Sequence, residues 1–369
     1  MFRISQYMQE LKAPLADPRV RKPAGPVVIW NLIRRCNLTC KHCYSISADI
    51  DFPGELDTRE VFGVMEDLRS FAVPVLILSG GEPLLRPDIF DISRRAKAMG
   101  FYVGLSTNGT LIDENNIDQI AAVGYDYVGI KIGMRFSPTQ DNARELPRLL
   151  DVMGEERVDK LYVSHLNYGG RGNRNRRSDV VHQTSRWVMD LLFDACWADI
   201  KAGRRREYVT GNNDADGVYL LRWTRRHVPE HYVYLRERLA QWGGNSSGEN
   251  IANIDNTGHV HPDTFWWNYN LGNVKERPFS QIWMDTRDPL MAGLKASPRP
   301  LKGRCRVCHY QDVCGGNTRV RAFQLTGDPW WEDPACYLDD QELGISEADY
   351  AGDEPESMGL EIRSVRHAG

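Results

Sequence analysis

Three cysteines lie close together near the start of the chain, at Cys36, Cys40 and Cys43. They follow a short apolar run, residues 26–31, that is typical of a buried strand. Thiolates are soft ligands that suit zinc and iron–sulfur clusters. A closed structural site needs four protein ligands, whereas three thiolates leave one metal position open for a small molecule. The spacing predicts either a four-iron cluster with one open iron or a zinc site that His42 completes.

A second cysteine group lies towards the other end of the chain, at Cys305, Cys308, Cys314 and Cys336. Four thiolates form a closed set for a second four-iron cluster or for a zinc ion. The eighth cysteine, Cys196, stands alone in an apolar helical pattern, and we interpret it as a packed thiol.

Composition limits the classes of function. The chain has 369 residues, 41% of them hydrophobic, which is enough for one large domain or two ordinary ones. A net charge of -4 gives no electrostatic reason to expect nucleic acid or membrane binding. No apolar run approaches the roughly 20 residues of a membrane span, and the first residues lack a signal-peptide core. We therefore expect a cytoplasmic protein, in which many cysteines indicate metal rather than disulfides.

The elements that position the cysteines alternate between strand and helix. Further strands are predicted at residues 75–78, 102–106, 127–130, 131–136 and 160–165, and helices at 58–71, 87–99, 113–123, 139–153, 182–201 and 220–242. Alternating βα units predict a parallel sheet, and barrels built from them carry active sites at the carboxyl ends of the strands.

Glycines and polar residues follow two of these strands where each strand ends. Ser79 leads into Gly80-Gly81-Glu82-Pro83, and Ser106-Thr107-Asn108 ends the following strand. Glycine lacks a Cβ, so a ligand can approach its backbone closely, although both segments could also be ordinary turns. Because parallel strands end at one edge of the sheet, we expect these segments to lie near the first cysteine group.

The three-cysteine loop after strand one and the Gly-Gly-Glu-Pro segment after strand two resemble the radical S-adenosylmethionine (SAM) enzymes. The resemblance implies a partial (β/α)6 TIM-like barrel, in which Cys36, Cys40 and Cys43 are catalytic and hold a [4Fe-4S] cluster whose open iron binds SAM. It also implies SAM contacts at His42, Tyr44, Gly80, Gly81, Glu82, Pro83, Ser106, Thr107, Asn108 and Arg135.

One connection of such a barrel is missing. The predicted strands 127–130 and 131–136 follow each other directly, whereas parallel neighbours need a crossover of a dozen or more residues. The family places a polar turn and a whole helix there. Either a segment is absent between Ile130 and Lys131, or the chain has lost one βα unit. We favour the first, because a true loss would open the barrel wall.

The C-terminal third resembles the SPASM/Twitch extensions of radical SAM enzymes, because a hairpin at 254–262 precedes the second cysteine group. Asp263 and Thr318 stand where SPASM proteins carry further cysteines. The resemblance therefore implies one auxiliary [4Fe-4S] cluster on Cys305, Cys308, Cys314 and Cys336, with zinc as the alternative. The predicted divisions are an N-terminal segment (1–25), the partial barrel with trailing helices (26–242), the auxiliary domain (243–338) and a loose acidic tail (339–369).

A short loop after the last predicted barrel strand is rich in arginine: Arg171, Arg174, Arg176 and Arg177. Guanidinium groups bind carboxylates through paired hydrogen bonds, so the loop is a candidate clamp for a substrate with several carboxylates. The alternative is a solvated loop. His165, His259 and His261 are candidate ligands of a substrate iron, but ordinary hydrogen-bonded histidines are the more common case.

Over nearly its whole length the chain resembles the radical SAM enzymes of haem d1 biosynthesis, most distinctively at 208–217, 261–267 and 314–321. The resemblance implies a tetrapyrrole substrate, didecarboxysirohaem. A 5′-deoxyadenosyl radical would start the replacement of two propionate side chains by oxo groups, or their activation towards it. It also implies an electron donor such as flavodoxin or ferredoxin. Three alternatives stay open: a radical SAM peptide maturase, a haem-pathway decarboxylase and a non-catalytic metal-binding protein.

Overall fold

The computed structural model describes residues 1–15, 25–128 and 133–353. Its strands are β1 (Val27–Asn31), β2 (Val75–Ser79), β3 (Tyr102–Leu105), β4 (Tyr127–Val128), β5 (Gly133–Phe136), β6 (Lys160–Ser164), β7 (Glu207–Gly211), β8 (Ile251–Ile254) and β9 (Val260–His261).

The helices lie between and after the strands. They are α1 (Ile4–Lys12), α2 (Thr58–Ser70), α3 (Ile89–Ala98), α4 (Ile117–Val123), α5 (Leu146–Glu155), α6 (Arg171–Arg174), α7 (His182–Lys201), α8 (Ala215–His227), α9 (Tyr232–Trp242), α10 (Phe279–Met284), α11 (Pro289–Lys295), α12 (Arg304–Val307), α13 (Gln311–Cys314), α14 (Arg319–Thr326) and α15 (Asp340–Leu343). Within the described residues, none of these helices is long and apolar enough to cross a membrane.

The first sheet has the strand order β4-β3-β2-β1-β8-β9. Strands β1 to β4 and β8 run parallel, and Asn31 at the end of β1 pairs with Ser79 at the end of β2. Alternate residues such as Trp30 and Leu76 are fully buried, whereas Ile29 and Ile77 on the other face are only half-buried, so these strands are not buried equally on both faces. Asp57 caps the start of helix α2. Its side chain accepts a hydrogen bond from the Glu60 N–H, and the Glu60 side chain accepts one from the Asp57 N–H. The parallel α/β architecture is confirmed, and three polar loops share one edge of this sheet.

The second sheet contains β5, β6 and β7, all parallel, and has its own hydrophobic core. In the described residues, β4 of the first sheet and β5 of the second are not hydrogen-bonded to each other. The predicted missing βα unit belongs between them, but residues 129–132 lie outside the described residues. Strand β7 was not predicted from the sequence.

The predicted hairpin is present as β8 and β9, but β8 also pairs in parallel with β1. The hairpin thus extends the first sheet beside the strand that carries the cysteine loop. The predicted helix at 220–242 is instead two helices, α8 and α9. Pro229 explains the break, because proline has no backbone N–H and disfavours helical geometry in the residue before it.

Both ends of the chain are more ordered than their composition indicates. Helix α1 buries Ile4 and Met8, and the backbone of Phe2 exchanges hydrogen bonds with Thr210 of β7 at 2.7 and 2.8 Å. At the other end, α15 lies within the segment predicted as a loose tail and is held by ion pairs from Arg186 to Glu342. Residues 354–369 of that segment lie outside the described residues.

Candidate active site

The first cysteine group lies on the long loop between β1 and α2, at the carboxyl end of β1. Cys36 is buried, Cys43 is half-buried and Cys40 is exposed, and all three are free thiols. The Cys36 N–H donates to the carbonyl of Ala48 at 3.0 Å, which closes the loop. Three unpaired thiols on one loop fit the set that holds a [4Fe-4S] cluster with an open iron.

The environments of two of these thiols differ. Burial raises the pKa of Cys36, against hydrogen bonds from the Leu38 N–H and the Asn108 amide. Burial also opposes ionisation of Cys43, but hydrogen bonds from Ser45 and Ser47 outweigh it and lower the pKa of Cys43. The Ser45 hydroxyl lies 3.3 Å from the Cys43 sulfur. The loop therefore supports a thiolate at Cys43 before any metal binds.

Gly80 and Gly81 lie directly beneath the cysteine loop. Added methyl groups would collide with the carbonyl oxygen of Ile33 at Gly80 and with those of Arg34 and Arg35 at Gly81. The Gly81 N–H donates to the Ile33 carbonyl at 2.7 Å. The sequence explained these glycines by approach of a ligand; in the structure they also let β2 end against the cysteine loop.

Glu82 joins the ends of β2 and β3. Its fully buried carboxylate accepts hydrogen bonds from the Thr107 hydroxyl and the Asn108 N–H, both at 2.7 Å. The Asn108 amide in turn donates to Asn37 at 2.9 Å and contacts the Cys36 sulfur at 3.8 Å. The predicted SAM segments are thus linked to the cysteine loop by hydrogen bonds. Their contacts with SAM itself stay predictions, and so do those of Pro83 and Ser106.

Tyr44 connects the cysteine loop to the hairpin. Its hydroxyl accepts a hydrogen bond from the Asn31 amide at 2.9 Å, and its ring meets the edges of Phe265 and Trp267. His42 keeps an exposed surface, but the protein atoms around its ring displace part of its hydration. This desolvation, together with the charge of Arg171, lowers the pKa of His42. The aromatic contacts were not predicted, because they depend on the hairpin lying beside β1.

Arg171 binds the cysteine loop rather than lying open to solvent. Its guanidinium donates to the carbonyls of Cys40 at 2.8 Å and Ser47 at 2.9 Å. The backbone N–H of Arg171 donates to the backbone carbonyl of Cys43 at 2.9 Å. Gly170 has a φ of 55° and packs against the backbone of Tyr44, so a side chain there would collide with it. This contact gives Arg171 a structural function that the sequence did not indicate.

The other predicted arginines lie around this contact. Arg174 and Arg177 are exposed, and Arg176 donates to Asn173 at 3.3 Å. Arg135 on β5 is exposed, with its guanidinium 5.3 Å from the centre of the Tyr162 ring. Contacts of these residues with a substrate or with SAM stay predictions.

The three candidate histidines all have protein partners. His165 is buried and lies 3.1 Å from Asp216, and His261 lies 2.7 Å from the carbonyl of Tyr269. The Nδ1 of His259 lies 2.8 Å from a threonine hydroxyl. These contacts favour ordinary hydrogen-bonded histidines over iron ligands.

The four cysteines of the second group, Cys305, Cys308, Cys314 and Cys336, line one pocket together. Burial raises the pKa of Cys305 and of Cys308 to about 11, and it raises the pKa of Cys314 and Cys336 as well. Burial thus opposes ionisation of these four thiols, whereas the thiolate is the form that binds a metal.

The spacing of the cysteines bears on the zinc alternatives. A zinc site needs its sulfur atoms about 2.3 Å from one ion. Within residues 1–15, 25–128 and 133–353, no three His, Cys, Asp or Glu side chains converge closely enough to hold a single ion. A four-iron cluster binds each thiolate at a different iron, so its cysteines lie further apart. The metal group at the second cysteine group stays a prediction, with zinc as the alternative.

Asp263 and Thr318, which replace expected cysteines, are bound within the fold. Asp263 accepts a short hydrogen bond from Ser247, and burial raises its pKa. The Thr318 N–H donates to Asp333 at 2.9 Å, and its hydroxyl donates to the Asn212 carbonyl at 3.1 Å. Both positions serve packing, so neither adds a ligand to the second cysteine group.

Comparison with known proteins gives three kinds of match. The family model of the radical SAM superfamily matches residues 30–133, which include the first cysteine group and the ends of β2 and β3. The Pre-heme d1 synthase of Dinoroseobacter shibae is 48% identical over 94% of this chain and 94% of its own length. The Fe-coproporphyrin III synthase of Methanosarcina barkeri is 38% identical over 89% of this chain and 91% of its own length.

The length of the first alignment bears on the missing connection. It spans 382 positions, more than the 369 residues of this chain, so the relative contains residues with no counterpart here. The alignment length does not locate these residues, so the missing segment between Ile130 and Lys131 stays a prediction.

Two solved structures share the fold. SuiB of Streptococcus suis, bound to S-adenosylmethionine, has a TM-score of 0.61 at 15% identity, covering 85% of this chain and 78% of SuiB. The enzyme anSMEcpe with bound AdoMet has a TM-score of 0.59 at 15% identity, covering 84% of this chain and 93% of its own. At these identities the likeness concerns the fold alone.

Proposed function

Since the chain belongs to the radical SAM superfamily and to the family of the Pre-heme d1 synthase of Dinoroseobacter shibae, we propose that this radical SAM enzyme acts in haem d1 biosynthesis. Its substrate is didecarboxysirohaem, and its targets are two propionate side chains. The relative's name describes a precursor of haem d1. We therefore assign to this chain the activation of the propionates, ahead of finished oxo groups.

The observation that carries this proposal is 48% identity over nearly the full length of both chains, together with a site that the strand ends assemble. Cys36, Cys40 and Cys43 hold the first cluster, and the ends of β2 and β3 hold SAM. When bound, the cluster and SAM supply a 5′-deoxyadenosyl radical that abstracts hydrogen from a propionate carbon. The protein orients the substrate and excludes water.

The residues around the open edge of the site have assigned tasks in this proposal. His42 and Tyr44 flank the adenine, and Arg135 meets the SAM carboxylate. Arg174, Arg176 and Arg177 face the carboxylates of the tetrapyrrole. An electron donor such as flavodoxin or ferredoxin, working in the cytoplasm, reduces the first cluster.

We further infer that the partial barrel ends near residue 242 and that residues 243–338 hold one auxiliary [4Fe-4S] cluster on the second cysteine group. The shared cavity supports the cluster, and the packing of Asp263 and Thr318 supports a single one. The cluster takes back the substrate electron or positions the macrocycle. Iron analysis checks it: the reconstituted enzyme should bind two clusters' worth of iron, and Cys305→Ser with Cys308→Ser half as much. Equal iron in both proteins contradicts the proposal.

The activity is tested by anaerobic reconstitution with iron and sulfide, reduction, and addition of SAM with and without didecarboxysirohaem. Mass spectrometry should show 5′-deoxyadenosine together with a mass change on the macrocycle, and Cys40→Ala should abolish both. Nucleoside formation without any change in the tetrapyrrole contradicts the proposed substrate but leaves the enzyme class intact.

A second candidate is a haem-pathway decarboxylase, since the AdoMet-dependent heme synthase of Methanosarcina barkeri is 27% identical over 85% of this chain. The same experiment separates the two. Oxidative decarboxylation, in which the propionate loses a hydrogen atom to the 5′-deoxyadenosyl radical, one electron to an acceptor and then CO2, leaves a vinyl group, whereas the proposed reaction does not.

A further inference from the structure

Arg319 is a charged side chain in an unusual position. It is fully buried at the start of α14, a few residues after Cys314. Its guanidinium donates to backbone carbonyls only, those of Asn317, Pro329 and Trp331. One guanidinium nitrogen, Nη2, is buried and has no hydrogen-bond partner. A buried cation served only by neutral groups is costly, so a negative charge should lie nearby.

Neighbouring buried arginines differ from Arg319 in having carboxylate partners. Arg321 binds both oxygens of Asp333 at 2.9 Å, and Arg304 at the cavity wall binds Asp340 at 2.6 Å. In the part of the chain that the structure describes, no carboxylate lies within ion-pair distance of Arg319. The counter-ion of Arg319 is therefore not a carboxylate of the described residues.

The second cysteine group lies immediately beside this cation. Gly316 lines the cavity, and a methyl group added there would lie 3.4 Å from the guanidinium carbon of Arg319. Four thiolates around a four-iron cluster carry a net negative charge, and reduction adds one more.

We propose that Arg319 is the counter-charge of the auxiliary cluster and raises the reduction potential of that cluster. This inference rests on the auxiliary cluster proposed above. A cation behind the cavity wall stabilises the reduced cluster more than the oxidised one, because the reduced form is more negative. In a buried site the charge is weakly screened, so the effect is large. Arg319 is thus a positioning and tuning residue, not a catalytic one.

The test is an EPR-monitored redox titration of the full-length chain carrying Cys36→Ala, Cys40→Ala and Cys43→Ala, so that only the auxiliary cluster reports. Arg319→Gln should make the reduced form at least tenfold less populated at a fixed potential, a shift of about 59 mV to more negative values. Arg319→Lys, which keeps the charge, should retain most of the wild-type potential. Arg306→Gln is the matched control, because Arg306 neighbours Cys305 but is 48% exposed.

Several outcomes decide the matter. An unchanged potential in Arg319→Gln with normal iron content overturns the inference, as does an equal shift in the exposed control. If Arg319→Gln takes up no iron while Arg319→Lys takes up a normal amount, the need for charge is supported. If both variants fail to load, shape rather than charge is required and the inference is wrong. Iron and zinc analysis of the parent comes first: without an iron cluster, the auxiliary site proposed above fails instead.

Discussion

At the scale of single residues, Arg171 shows how a side chain can serve a site without touching a ligand. It reaches from the loop after β6 to two carbonyls of the cysteine loop. The loop on which the cluster is held would otherwise depend on its own short-range hydrogen bonds and on the glycines beneath it. The charged donor is worth more than a neutral one, because its bonds are roughly twice as strong.

We expect Arg171→Ala to slow SAM cleavage about tenfold, since losing hydrogen bonds from a charged group costs about 1.5 to 3 kcal/mol. Cleavage is measured as 5′-deoxyadenosine formed without tetrapyrrole. Arg174→Ala, in the same loop but exposed, is the matched control and should cleave SAM at the wild-type rate. Equal rates in the two variants would show that Arg171 does not hold the loop.

The same loop gives a second prediction at this scale. Replacing Arg174 and Arg176 together by alanine should weaken tetrapyrrole binding, because cationic partners of the substrate carboxylates are lost, and should leave SAM cleavage intact. Binding is followed by the change in the tetrapyrrole absorption spectrum on titration. An unchanged affinity would remove the clamp hypothesis.

At the scale of elements, the site depends on how closely β2 can end beneath the cysteine loop. Gly81 makes this contact, and its N–H donates a hydrogen bond to the Ile33 carbonyl at the start of the loop. Glu82, just after β2, then links this strand to the end of β3, because its carboxylate accepts hydrogen bonds from Thr107 and Asn108. Each strand end is therefore positioned by the next, and none of the three loops is placed independently.

Gly81→Ala should displace the cysteine loop, because the new methyl group meets two backbone carbonyls that cannot move aside cheaply. We expect loss of iron from the first cluster, measured as iron per chain and as loss of the SAM-dependent EPR change. Gly63→Ala is the matched control: an added methyl on this exposed helical glycine has no neighbour within 4 Å. It should bind iron normally and be slightly stabilised.

At the scale of the whole molecule, two hydrophobic cores are joined by buried polar contacts. One core surrounds the first sheet and the other the second sheet. Arg321 connects them: it pairs with Asp333 and donates to the Leu166 carbonyl just after β6 at 3.2 Å. The segment that follows Cys314 is thereby fastened to the end of β6 in the second sheet.

Asp333→Asn should destabilise the protein by about 3 to 5 kcal/mol, because it leaves the fully buried Arg321 without its counter-charge. The measurement is the urea midpoint of unfolding. Glu155→Gln breaks an ion pair with Arg148 whose side chains are more than half exposed, and it should change the midpoint little. Similar shifts of the urea midpoint in both variants would contradict the prediction that the buried Arg321–Asp333 pair stabilises the protein.

Local patterns account for most of the correct predictions. The apolar runs of β1, β2 and β3 and the cap of α2 are short-range features, and the structure confirms them. Strand β7 and helix α1 were missed, because their stability comes from each other through the backbone contacts of Phe2 and Thr210. Pro229 is a sequence signal for a helix break, but the long helical period led us to predict one helix at 220–242.

The sequence by itself determined the chemistry: which thiols could bind metal, which strand ends carry them, and which family they resemble. Those properties reside in residue types and their spacing. Only the tertiary structure decided that Arg171 holds the cysteine loop, that the hairpin extends the first sheet, and that Arg319 lies buried beside the second cysteine group without a carboxylate. The first two facts join residues more than a hundred positions apart, and the third depends on how a short segment is buried. Packing in three dimensions, rather than local pattern, sets all three.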